Sequence, residues 1–564
     1  MKPASPSAAP GLPGADASAM IDAAPGAHRL GGPRAWYVLI LLTLVTAISL
    51  LDRQVITILA VDIKRDLGLN DSEIGLVYGT FFAVFYALFS IPLGRLADGW
   101  VRTWQVAISL TAWSASTIGC AFAGGFGSMA LWRSAVASGE AGAGPAAYSL
   151  VADLFPRRQR ATAMAIYGAS AAIGVGLSML VGGLVVGWWN GMFPGGRGWF
   201  GLVAWQAAFI IAALPGFVLA VLIALVREPV RGLSDGIIQP PAPRPFRRAG
   251  LEFMALVPPL TFINLRWIGA GAAEWRRAIG ALALVLGFIA VATAITNGIT
   301  PPDHLKIYGH VLGMPITSHL LQWSIVGFGS YAALSWIQAQ RFRDPATHAV
   351  MWSSPAFVAM LVIAAFNLMI NYGYTAFATP YAIQHYGLPP QVVGPRIGIA
   401  AMIAGGGGTV LGGVMADIAR RYSRIGRMWV LLATTVIPVP MTFHTFAQPT
   451  LDGFVQWFFL SSIILTGWLP CCIATVHDLV LPRMRGAATA IFYLGITIFG
   501  MGTGPYLVGL LSDMTGDLGR SILSLYAVAP VVWIAILVGM RHLPRDEASM
   551  LGRARAAGED IRPL

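Results

Sequence analysis

The chain has 564 residues, of which 56% are hydrophobic and 11% charged, and its mean hydropathy is +0.69. Ordinary soluble domains carry about 25% charged residues, so a water-soluble globule is excluded and an integral membrane protein is expected. The net charge of +12 does not point to nucleic acid, because the arginines sit in short connectors between apolar stretches, where they set orientation in a bilayer.

Apolar stretches of about 20 residues, long enough to cross the hydrocarbon core as helices, recur along the chain without the alternation of a barrel. Residues 1–34, rich in Ala, Pro, Gly and Ser, are expected to be a disordered cytoplasmic tail and not a cleavable signal. Six spans are expected within 35–228, near 36–60, 74–93 and 104–123, inside 131–160, and near 162–186 and 205–226. Residues 229–350 read as a cytoplasmic linker with an interfacial piece at 251–265, broken by Pro258 and Pro259, and two extra spans at 278–296 and 320–340. A second six-span unit fills 351–545, near 355–377, 395–416, 428–446, 454–476, 486–511 and 521–541, and 546–564 is a second cytoplasmic tail. The total is about fourteen spans. With that count, Arg102, Arg157, Arg160, Arg227, Arg231, Arg420, Arg427, Arg483 and Arg541 share one side, so both termini are expected to be cytoplasmic, in a bacterial inner membrane.

The fourth span holds Arg133 and Glu140. Ionisable groups at bilayer depth cost about 3 kcal/mol or more, so they face a cavity or a partner. Seven positions return a helix to within about 20° of the same face, roughly 10 Å further along. Both side chains therefore look into one space. Asp52 in the first span is expected at a similar depth, with Asp52 and Glu140 as proton carriers and Arg133 as substrate or coupling partner. Arg53 is expected to snorkel to the outer interface. Asn367, Asn371, Tyr372 and Tyr374 in the seventh span of the two units can line a cavity for an amphiphile or bond between helices. Cys120, Cys471 and Cys472 lie in apolar spans without metal-ligand spacing, so no metal is expected.

The two units echo each other. GRLAD at 94–98 is answered by GGVMAD at 412–417, and ADLFPRRQRATAMA (152–165) by HDLVLPRMRGAATA (477–490), which pairs Asp153 with Asp478 and Arg160 with Arg485. Parallel six-helix repeats place a site at mid-membrane between them. This chain resembles the major facilitator superfamily over almost its whole length, on Gly94, Leu96, Ala97, Asp98 and Arg102, although Gly99 and Trp100 stand where a basic residue follows the Asp. The expected fold is all-α and polytopic, two six-helix bundles plus about two central helices. Gly94, Asp98, Arg102, Asp153, Arg160, Asp417, Asp478 and Arg485 are then the expected cytoplasmic gate, with Gly94 allowing close helix approach and Asp98 latching that side.

LLDRQVITILAVDIKRDLGLNDSEIGLV (50–77), the run from Arg133 to Gly-Glu-Ala at 139–141, and Trp205 to Gly232 with its REP-x-RG ending resemble the spinster-like branch. That resemblance implies coupling and substrate roles for Asp52, Arg133 and Glu140, and lysolipid-like or sphingoid phosphate cargo. No phosphate loop or HExxH is present, so neither an enzyme nor direct nucleotide drive is expected. The reading is a monomeric proton-coupled secondary transporter of an amphiphilic anion or lysolipid, with membrane lipids as surroundings and no cofactor. Uptake of a small organic anion or sugar acid, multidrug efflux, and a non-transporting receptor or scaffold are its alternatives.

Overall fold

Runs of Leu, Val, Ile and Ala this long have one low-energy form in hydrocarbon, because a helix satisfies every backbone donor and acceptor within itself. The computed structural model describes residues 30–231, 234, 243–311 and 313–559. The first bundle is α1 (Pro33–Leu67), α2 (Asp71–Gly99), α3 (Arg102–Ala121), α4 in two segments (Phe126–Glu140 and Ala143–Leu154), α5 (Arg157–Met192) and α6 (Ala204–Ala224). The second is α12 (Pro355–Tyr386), α13 (Pro390–Tyr422), α14 (Gly426–Phe446), α15 (Leu451–Asp478), α16 (Pro482–Thr515) and α17 (Leu518–Ala556). Between them lie α7 (Pro245–Leu256), α8 (Leu260–Trp267), α9 (Ala272–Ile299), a β-hairpin of β1 (Ile307–Val311) and β2 (Met314–Thr317), α10 (Ser318–Arg343) and α11 (Pro345–Trp352). Among the described residues, eleven helices are long and apolar enough to cross a membrane by length and composition. The polar α3 and α10 and the interrupted α4 complete the expected set.

Three stretches differ from the sequence reading. The hairpin replaces an expected connector: Ile307 to Val311 form a largely exposed strand, and Gly313 supplies a turn at φ +80°. Helix α1 runs seven residues past the expected end at residue 60, through Asp62, Lys64, Arg65 and Asp66. The stretch expected as a tail from 546 continues α17 to Ala556, and Asp546 turns back to accept from Ser354 Oγ (2.6 Å) and the Ala356 N–H (2.9 Å) at the start of α12. Residues 1–29 and 560–564 of the expected tails, and 232–233 and 235–242 of the expected linker, lie outside the described residues.

Glycines set where the bundles touch. A Cβ on Gly398 of α13 would lie 2.6 Å from the Gly176 carbonyl of α5, and one on Gly394 2.5 Å from the Met179 carbonyl. At the second seam, a Cβ on Gly75 of α2 would lie 2.4 Å from the Pro505 carbonyl of α16, and one on Gly509 2.2 Å from the Asp71 carbonyl. Backbones meet this closely only where one partner lacks a side chain. These contacts sit at mid-depth and toward the face that carries the hairpin. Toward the opposite face, which carries the arginine-rich connectors, Gly168 of α5 and Gly495 of α16 have no atom within 4 Å of a Cβ position. Tyr148 (51% exposed) and Tyr493 (43%) gather there from the two bundles with the half-buried Tyr86. The bundles are therefore closed at the hairpin face and parted toward the basic face.

Candidate substrate and coupling site

Helix α4 breaks just beyond Glu140 because Pro145 has no N–H to donate and its ring crowds the carbonyl four residues back. Gln105 of α3 takes up the loosened backbone, donating to Gly142 O at 3.0 Å as well as to Leu93 O at 2.8 Å. Gly139 lets α3 approach, since a Cβ there would lie 2.9 Å from the Trp113 N.

Arg133 and Glu140, both buried, face α1 as their spacing requires. Arg133 donates to the backbone carbonyls of Asp52 (3.3 Å) and Arg53 (3.0 Å), not to the Asp52 carboxylate. Its guanidinium centre is 5.3 Å from the Phe82 ring centroid. Glu140 forms an ion pair with Arg53. The position expected for Arg53 is thus corrected. With α1 running to Leu67, Arg53 lies about 21 Å of helix from that end, too deep to snorkel. Its guanidinium instead lies over Phe82 (4.3 Å) and Tyr86 (5.1 Å), one turn apart on α2. Asp52 is fully buried beside Trp113 and Thr117, neither of which donates to it in hydrogen-bond geometry, so both carboxylate oxygens lack a partner among the described residues. Tyr78 donates to Gln54 at 2.6 Å and meets the Tyr372 ring of α12 at 6.2 Å, roofing the site toward the hairpin face.

The residues expected from α12 separate. Tyr372 faces the first bundle, and Asn371 is half-buried. Asn367 is buried and donates to Ile363 O of its own helix (2.8 Å), and Tyr374 packs on Phe446 and Phe458 with its hydroxyl 3.3 Å from Ser461 Oγ. Tyr374 serves the interior of the second bundle.

At the basic face the expected gate is organised around Arg102 and not the Asp98 carboxylate. Fully buried Arg102 donates to Asp153 (2.5 Å), Ser149 Oγ (2.7 Å), Glu228 (2.6 Å) and Pro229 O (3.2 Å). Asp98 is exposed and lies 3.6 Å from Arg95, its own helical neighbour, while Arg231 grips the Asp98 carbonyl at 2.8 Å and the Trp100 carbonyl. The REP-x-R run at 227–231 is therefore a clasp on the α2–α3 connector. Gly94 is not needed for close packing, since a Cβ there would stand 3.9 Å from Pro145. Arg160 donates to Ser234 Oγ (2.8 Å). In the second bundle Asp478 pairs with Arg427, Asp417 lies 3.6 Å from the same arginine, and Arg485 is exposed. Arg102 to Asp153 and Arg427 to Asp478 each span 51 residues. That equal offset was legible in the repeat and would have singled out Arg427.

A second latch, at the hairpin face, escaped the sequence reading. Asp513 of α16 accepts from the Asp71 and Ser72 N–H groups (2.8 Å each), capping the N-terminus of α2 from the other bundle, and Ser512 donates to Asp71 (2.8 Å). Glu73 accepts from Lys306 (2.6 Å) and Tyr308 (2.6 Å) of the insertion. Burial, then the Glu73 carboxylate, push the Tyr308 phenol far above its ordinary value. Gln322 of α10 donates to Gly502 O (3.0 Å) and pairs with Thr80, itself bonded to Gly502 O (2.6 Å), so α10 touches α2 and α16 at once.

A structure titled as a bacterial homolog of the human lysosomal transporter Spinster, in an inward-facing and unoccupied conformation, superposes with a TM-score of 0.61 at 22% identity, covering 94% of this chain and 99% of that one. An MFS-type efflux pump of Mycolicibacterium smegmatis is 26% identical over 522 residues, 90% of this chain and 94% of the pump. Protein spinster of Drosophila melanogaster is 28% identical over 225 residues, 40% of this chain and 34% of that protein. The Major Facilitator Superfamily model matches residues 42–467, from α1 across the insertion and into α15 of the second bundle, and the chain belongs to that superfamily of membrane transporters.

Proposed function

We propose that this protein is a spinster-like, proton-coupled secondary transporter that moves an amphiphilic anion or lysolipid-like substrate by alternating access. The observation that carries the proposal is the buried cluster in which Glu140 holds Arg53 while Asp52 has no donor among the described residues. A carboxyl group without a donor or water favours its neutral form, and one facing a guanidinium favours its charged form. Protonation of Glu140 releases Arg53 to receive an anionic head group; deprotonation recaptures it. Arg133, bound to α1 carbonyls, fixes the distance between α1 and α4, so that rotation of Asp52 toward or away from water follows movement of α4. The Phe82, Tyr86, Tyr78 and Tyr372 rings suit the apolar body of such a substrate. Arg102 with Asp153 braces the first bundle internally and Arg427 with Asp478 the second, both at the basic face, which the positive-inside bias favours as cytoplasmic, with the protein in a bacterial inner membrane. The protein works as a monomer on a small-molecule or lipid substrate and protons.

The test is flux into proteoliposomes under an imposed pH gradient, with lysolipid, sugar-acid and drug competitors. Wild-type protein accumulates the substrate uphill, and Glu140→Gln keeps exchange but loses accumulation. Equal accumulation by Glu140→Gln removes the proton role. Similarity to an efflux pump over most of both chains supports a second reading, extrusion of apolar drugs, for which dyes and not lysolipids compete.

A further inference from the structure

The Asp52 carboxylate lies against α3. Leu110, Trp113, Thr117 and Cys120 recur there at helical spacing and form a buried face, and Trp113 and Thr117 stand beside Asp52. The Thr117 hydroxyl is committed to its own helix, donating to Trp113 O at 3.0 Å. The Trp113 indole N–H, on a side chain with no exposed surface, has no acceptor in hydrogen-bond geometry among the described residues. An indole can only donate. A carboxylate without a donor therefore adjoins a donor without an acceptor, where buried polar groups are almost always paired.

Trp113 also touches α4. A Cβ on Gly139 would lie 2.9 Å from the Trp113 N and 3.2 Å from its Cβ, so the backbone just before Glu140 packs at the root of the indole and restricts the rotamers open to it. The same helix is tied to α1 through Arg133, which donates to the Asp52 carbonyl at 3.3 Å. The charged and titratable groups around Asp52 are Arg133 and Glu140 of α4, Arg53 beside it on α1 and the Cys120 thiol of α3. Arg53 is paired with Glu140, and Arg133 aims both Nη groups at α1 carbonyls. The indole is thus the neighbour placed to serve the carboxylate.

Resting on the proton-coupled reading above, we propose that Trp113 is the positioning residue for Asp52, its indole N–H bonding the carboxylate when Asp52 gives up its proton. Movement of α4 shifts Gly139 against Trp113 and sets the rotamer that brings the indole to Asp52 or withdraws it. A hydrogen bond to the charged form favours that form, and one to a carboxylate is about twice as strong as a neutral one. The two carboxyl groups then answer to one helix by two routes, Glu140 through Arg53 and Asp52 through the indole.

Infrared titration of the full-length protein in lipid tests this, with protons as the probe. The protonated-carboxyl band that Asp52→Asn removes belongs to Asp52. In Trp113→Phe its midpoint rises by about one pH unit, or about tenfold tighter proton binding, because the anion loses one charge-assisted hydrogen bond. Replacing Trp113 with benzothienylalanine, which has sulfur for the N–H at nearly the same shape, gives the same rise and serves if Trp113→Phe does not fold. Thr117→Val leaves the midpoint in place, whereas Gly139→Ala raises it and adds nothing to Trp113→Phe. An unmoved midpoint without the indole N–H, or an equal rise in Thr117→Val, overturns the role of Trp113. An unmoved midpoint in Gly139→Ala overturns its link to α4. Wild-type protein with no Asp52 band refutes the proton-carrier reading, and this inference with it.

Discussion

Glu140→Gln and Arg53→Gln remove opposite halves of one buried pair, and their costs are expected to differ. Arg53 is 8% exposed and Glu140 5%, so stranding either charge falls in the range of about 3–5 kcal/mol. The two survivors have different escapes. A stranded carboxylate neutralises itself by taking a proton, whereas a guanidinium stays charged at any working pH. The faces of Phe82 and Tyr86, 4.3 and 5.1 Å from the Arg53 guanidinium centre, remain in Glu140→Gln, and the new amide oxygen still accepts one bond, which holds the cost to about 3 kcal/mol. Arg53→Gln should cost about 1–2 kcal/mol less than that, and the double variant should recover about 2 kcal/mol relative to the sum of the singles. Denaturant unfolding of the four proteins in one detergent, run as a double-mutant cycle, measures all three quantities. Equal single costs with coupling below about 0.5 kcal/mol would refute the placement of this pair in a closed, water-poor site.

Gly176→Leu, at the seam where a Cβ would lie 2.5 Å from the Gly398 carbonyl, should wedge α5 from α13 and shift the population away from the arrangement closed at the hairpin face, read as longer spin-label distances across that face; unchanged distances would contradict the tight seam. Arg102→Lys should destabilise the protein nearly as much as Arg102→Ala, because the guanidinium uses Nε, Nη1 and Nη2 on separate acceptors and an ammonium cannot fork to match; thermal unfolding of both variants decides it. Asp344 is half-exposed outside the bilayer, and although burial pushes its carboxyl upward, hydrogen bonds from Arg483 and Thr347 and the Arg483 charge hold it below the ordinary carboxylate value. Its contribution to stability is therefore complete above the unfolded pKa of about 3.9 and fades as pH falls through the lower folded value. Hydrogen exchange in α11 should accelerate only in acid, and Asp344→Asn should remove that dependence.

The spans were legible because each is a long apolar run, and Arg133 with Glu140 was legible because charge inside such a run is rare and a seven-residue spacing fixes a common face. Arg53 was misplaced through a boundary. Asp62, Lys64, Arg65 and Asp66 read as a connector, yet they form the last turns of α1, with Lys64 and Arg65 at the C-terminal end where cations suit a helix. The Asp513 latch was hidden because SDMTGDLG carries no sign that its carboxylate caps a helix begun more than four hundred residues earlier. For the same reason Asn367 and Tyr374 could not be told from Tyr372: helical spacing separates faces of α12, but not which of two bundles each face meets. The hairpin at 307–317 is too short and too rich in Gly and Pro to rise above a turn signal.

Gln322 bonds at the junction of two helices that belong to different bundles, and Lys306 and Tyr308 bond to Glu73 at the start of one of them, α2. If α2 and α16 are to part at the depth of Thr80, α10 must leave one of them, and its amide must surrender either Thr80 or the Gly502 carbonyl. On the alternating-access cycle proposed above, the inserted helix changes allegiance, and the relative strength of its two attachments is expected to set how long the hairpin side stays shut.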